Sequence, residues 1–138
     1  VNPAIKTSEI IRTCLEKLRS LYRTIESVTA RLGSDPQDDL LDRTLIERAR
    51  LLAEADNKMA QLDNNDKSWR RILVADNVLS GIMSDIERSI RCTAAYDTRL
   101  VAVIARRMEA IETELVRINS SSNAMRAYAF QNVISRVA

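Results

Sequence analysis

"DIERSIRCTAAYDTRLVAVIARRMEAIETELVRI", residues 85–118, contains neither proline nor glycine. Within it Ile86, Ile90, Thr93, Asp97, Leu100, Ile104, Met108, Ile111, Leu115 and Ile118 recur by threes and fours, with one extra four-residue step from Ile104 to Met108. That spacing predicts one face of a long α-helix. Leu79 and Met83, and Ile72 across a gap, extend the stripe upstream, so a third helical segment is expected over 67–119. Gly81 costs about 1 kcal/mol in a helix interior and permits continuation. "TAAYDT", residues 93–98, is the expected place for any break, because Thr93 and Asp97 put polar groups on the seam.

Two shorter helices precede it. Ile11, Leu15, Leu18, Tyr22, Ile25, Thr29 and Leu32 mark a first helix over about 8–32, started by the capping side chain of Ser8. "GSDP" at 33–36 is a compact stop and restart: Gly33 suits a left-handed C-terminal position, Asp35 a cap, and Pro36 a first helical turn. The second helix, about 36–63, carries Leu41, Leu45, Leu52, Ala55, Met59 and Leu62. Arg48 falls on that stripe and is expected to lie at its edge, with Ala49 inside. The other reading of Arg48 is a specificity device facing a buried acid. "DNND" at 63–66 ends the helix, and Trp69, the only tryptophan, is expected to cover the end of the core.

The expected fold is therefore all-α, one helical domain over 1–138: an antiparallel bundle or coiled coil of three long helices with a short helical tail. Lengths then matter. At about 1.5 Å per residue, the first two helices reach roughly 35 to 40 Å and a helix over 67–119 roughly 75 to 80 Å. The shorter pair covers only about half of the longer one, leaving Leu100, Ile104, Met108, Ile111, Leu115 and Ile118 without a partner. Ser120, Ser121, Ser122 and Asn123 read as a flexible joint, and Met125, Tyr128, Ala129, Val133, Ile134 and Val137 as a movable tail helix over about 120–138; the other reading is a frayed terminus that simply continues the third helix. Ile104, Met108, Ile111, Leu115, Ile118, Met125, Tyr128, Val133 and Ile134 form the candidate partner-binding set.

Composition narrows the function. The chain has 138 residues, 21 basic and 19 acidic side chains intermixed for a formal charge of +2, and no histidine. An interspersed, nearly balanced charge offers no footprint for nucleic acid. No apolar run approaches the roughly 18 residues of a membrane span, and the start lacks a signal-peptide layout, so a cytoplasmic location is expected. Cys14 and Cys92 lack CxxC spacing and read as small core residues. With no nucleotide-binding loop, no nucleophile motif and no metal-ligand spacing, neither an enzyme nor a cofactor is expected.

"LIERARLL" at 45–52, "DIERSI" at 85–90 with "YDTRLVAVIARRMEAIETELVRI" at 96–118, and "MRAY" at 125–128 after a small-residue joint resemble the flagellar type III export chaperones of the FlgN/FliT kind. The resemblance spans most of residues 8–128. It implies a chaperone that holds the aggregation-prone terminal helix of a secreted filament or hook-associated subunit until export, in contact with the export machinery. It also implies that Ile111, Leu115, Ile118, Met125 and Tyr128 take part in client binding. The alternative is a homo-oligomeric coiled-coil scaffold or adaptor, such as a homodimer, whose uncovered stripe pairs with a second copy, without a client.

Overall fold

A computed structural model describes residues 3–137, with side chains from 6 to 136. The chain is all-α: α1 spans Pro3–Ala30, α2 Asp38–Asn65, α3 Trp69–Ala75 and α4 Asn77–Val137, with no strand among the described residues. It divides into two units, residues 1–99 and 100–138. The first holds α1, α2, α3 and residues 77–99 of α4; the described residues of the second are the rest of α4.

In the first unit α1 and α2 lie antiparallel. The Cys14 thiol donates to the Lys58 carbonyl, and Lys17 pairs with Glu54, so rising numbers on one helix meet falling numbers on the other. Gly33 makes the reversal with φ 67, a conformation that costs glycine no Cβ clash. The N-cap residue of α2 is Gln37, not the expected Asp35, and it makes no side-chain cap bond. Two acids in the first turn, Asp38 and Asp39, instead face the positive end of the helix dipole. α1 is already helical at Pro3, ahead of the expected Ser8.

The core joins Ile11, Leu15, Leu18, Leu21 and Ile25 of α1 to Leu51, Ala55 and Leu62 of α2, with Trp69, Leu79, Ile82 and Ile86. Trp69 is buried as expected, and its indole N–H donates to Asp63 Oδ1 at 2.7 Å. The register of α2 differs from the sequence reading: Thr44 and Leu51 are buried, whereas Leu45 and Leu52 are exposed. Along α4, Ile82 and Ser89 are buried in place of the expected Met83 and Ile90.

The break in the third segment falls at Asp76, not at 93–98. Asp76 Oδ1 accepts the backbone N–H groups of Val78 and Leu79, and the Ser80 hydroxyl donates back to the Leu73 carbonyl. A carboxylate that takes the first free N–H groups starts a new helix. Thr93 causes no break because its hydroxyl donates to the Ser89 carbonyl within the helix. The helix also runs unbroken through 120–123, where a joint was expected. Each serine or asparagine loses only a few tenths of a kcal/mol against alanine, less than it costs to nucleate a fresh helix.

Arg48 is not a snorkelling residue, and Ala49 is exposed. The Arg48 guanidinium bonds both oxygens of Asp97 at 2.8 Å each, with its side chain only 13% exposed. Cys92, expected in the core, is exposed, while Cys14 is half-buried; both are free thiols.

Candidate partner-binding face

In the second unit, Leu100 and Val103 are buried and Ile104 is half-buried. From Met108 onward the apolar side chains stand in solvent. Met108, Ile111, Leu115, Ile118, Met125, Tyr128, Val133 and Ile134 are each 49–70% exposed, as are Val116 and Phe130. Single exposed apolar residues are ordinary, but this many on one helix form a patch that calls for a partner.

An uninterrupted helix fixes their phase, which a jointed tail would leave free. At about 100° per residue, Met108, Ile111, Leu115, Ile118, Met125 and Val133 fall on one strip. Val116, Phe130 and Ile134 fall on a second strip, about a third of a turn around the helix. The predicted set is therefore not one face: Ile134 belongs with Val116 and Phe130, two residues the sequence reading left out. Their signal was present in the spacing 116, 130, 134, but it emerges only when 120–123 is helical. Tyr128 sits one turn from Met125, on the outer flank of the first strip.

Within the first strip Met108, Ile111, Leu115, Ile118, Ser122, Met125 and Ala129 alternate threes and fours, the spacing of coiled-coil seams. Ile118, Met125 and Ala129 border a shallow groove along the helix, with Arg117 and Arg126 at its rim. Arg117 pairs with Glu114 one turn earlier, and that hydrogen bond holds the Glu114 carboxyl below its ordinary range. Arg126 has no ion-pair or hydrogen-bond partner among the described residues, and no Asp or Glu follows Glu114 in the chain.

Among the described residues no helix is long and apolar enough to cross a membrane, and no group of three or more His, Cys, Asp and Glu side chains could hold a metal ion. The face offers apolar area and guanidinium groups, which suit association with another helix. The chain matches no protein-family model, no curated protein and no solved structure.

Proposed function

We propose that this chain is a cytosolic helix-binding chaperone of the flagellar type III export kind, which covers the amphipathic terminal helix of a secreted filament or hook-associated subunit before export. In this reading α1, α2 and the first part of α4 form an antiparallel three-helix coiled coil, and residues 104–137 receive the client. The supporting observation is the row of exposed apolar side chains from Met108 to Ile134 along α4. Full burial of a large apolar side chain contributes about 1.5 to 3 kcal/mol, and side chains 49–70% exposed gain the uncovered part of it, which supports a helix-in-groove complex after its ordering cost.

The test is a pull-down from the native cell extract with the full chain and with a form ending at Asn119. Capture of one secreted filament subunit by the full chain, weakened in the shorter form, is the expected result. Equal capture by both forms removes residues 120–137 from the reading, and recovery of the protein alone removes the client.

A second reading follows from the coiled-coil spacing of Met108 to Ala129, which also suits a second copy as a scaffold dimer. It expects a dimer mass in light scattering that falls to the monomer on changing Leu115 and Ile118 to Asp.

A further inference from the structure

We infer that the first strip is covered by a second copy of this chain laid antiparallel, with Met108 of one protomer against Met125 of the other. The inference rests on the self-association reading given as the second one above, and adds its direction and register. A client taking the first strip would have to displace this copy.

The seam closes on itself in one register. With a two-fold axis beside Val116 and Arg117, a reversed second helix sets Leu115 against Ile118, Ile111 against Ser122 and Met108 against Met125, each layer occurring twice. The five apolar residues among them are 49–69% exposed in the single chain, so all of them gain from the pairing. The Ser122 hydroxyl can bond back to the Ile118 carbonyl, as that of Thr93 does to Ser89. Sliding the copy by one heptad sets Met108 against Asn132 in one direction, and Glu112 against its own counterpart in the other.

Charge sets the direction. Between Met108 and Leu115 the charged side chains are Glu109, Glu112 and Glu114; from Leu115 onward they are Arg117, Arg126 and Arg136. Arg117 is answered by Glu114, and Arg126 by nothing among the described residues. An antiparallel copy lays the flank bearing Glu109 and Glu112 against the stretch of the same flank where Arg126 stands, and the two-fold axis makes that pairing twice. A parallel copy puts the arginine-bearing halves side by side. It gives Arg126 only Ser121 and Tyr128 as neighbours across the seam, and offers Glu112 to Arg107, which already has a partner. An anionic lipid surface fits less well, because Glu112 and Glu114 border the strip on its two sides.

The experiment uses the full chain, for which light scattering is expected to give the dimer mass. Two single-cysteine chains, Met108→Cys and Met125→Cys, each also carrying Cys14→Ser and Cys92→Ser, are then oxidised in glutathione buffer, alone and mixed. Expected is a disulfide-linked dimer about tenfold more abundant in the mixture than in either chain alone. Arg126→Glu should weaken dimerisation at least about tenfold, and Glu112→Arg added to it should restore the dimer. Met108, Glu112, Met125 and Arg126 are exposed, so these changes keep the fold. Chains that link to themselves as well as to each other overturn the antiparallel direction and leave the self-association reading standing. A dimer mass without linking in the mixture, or a charge exchange that restores nothing, overturns the register. A monomer mass overturns both the inference and the self-association reading, and binding of that monomer to vesicles of phosphatidylcholine and phosphatidylserine would reassign the strip to a membrane surface.

Discussion

Arg48 of α2 and Asp97 of α4 join through two hydrogen bonds of 2.8 Å, and the Arg48 Nε beside them is buried with no partner. The pair sits in a polar stretch of the helix seam, close in sequence to buried Thr44 on one helix and Thr93 on the other. Two charges held in this way set which residue of α2 lies opposite which residue of α4 more sharply than apolar contacts would. Their net stabilisation is small, since desolvation offsets most of the attraction.

Removing one partner is costly where removing both is not. Asp97→Ala should lower unfolding stability by about 2 to 4 kcal/mol, because a mostly buried guanidinium is left without its counter-charge. Arg48→Leu combined with Asp97→Leu should recover most of that loss. Urea denaturation of Arg48→Leu, Asp97→Leu and the double variant measures it; additive losses would mean that the pair acts as two independent surface charges.

Much of the first unit is legible in periodicity alone. Ile11, Leu15, Leu18 and Ile25 were marked by spacing and are the most buried residues of α1, and Gly33 announced its left-handed turn. Apolar type alone does not mark the inner position: Leu51 is buried and Leu52 exposed, and Ile82 is buried more deeply than Met83. Ser89 and Thr44 are inner although they are polar, and Arg48 because a carboxylate 49 positions away answers it. No local pattern reports a partner at that distance. In the second unit the residues were legible but their phase was not, because it depends on whether 120–123 is helical.

Trp69 anchors the end of the first core through both its ring and its N–H. Trp69→Phe retains most of the apolar burial but leaves the Asp63 carboxylate without its 2.7 Å donor. A loss of about 1.5 to 3 kcal/mol is expected, the range for a hydrogen bond to a charged group. Asp63→Asn should cost less, since an amide oxygen still accepts. Thermal unfolding followed by circular dichroism compares them, and equal losses would argue against the charge-assisted bond.

The two thiols should separate by reactivity. Burial raises the Cys14 thiol above its ordinary value, with Lys58 pulling it partly back, while Cys92 is exposed. A thiol-exchange reagent near pH 8 should label Cys92 first and Cys14 slowly, because the thiolate is the nucleophile. The same shift has a stability consequence. The folded state keeps the proton on Cys14 more firmly than the unfolded chain, so the contribution is fully present below pH 9.0 and is lost as pH rises through the higher folded value. Cys14→Ser should flatten that part of the stability profile above pH 9.0; an unchanged alkaline slope would assign it to other groups.

Leu115→Asp with Ile118→Asp separates binding from folding. Both side chains are about half exposed and belong to no core cluster, so the change should leave the unfolding of residues 3–99 within about 0.5 kcal/mol of the unmodified chain. Trp69, buried in the first unit, reports that transition through its fluorescence. Binding should respond oppositely: two carboxylates placed in the middle of the first strip would have to be desolvated against an apolar partner helix, a penalty large enough to lower affinity at least a hundredfold. Unchanged fluorescence melting with lost capture of the client is the expected combination. A melting transition shifted by several kcal/mol would mean instead that Leu115 and Ile118 serve the protein's own stability, and the face would have to be sought elsewhere on α4.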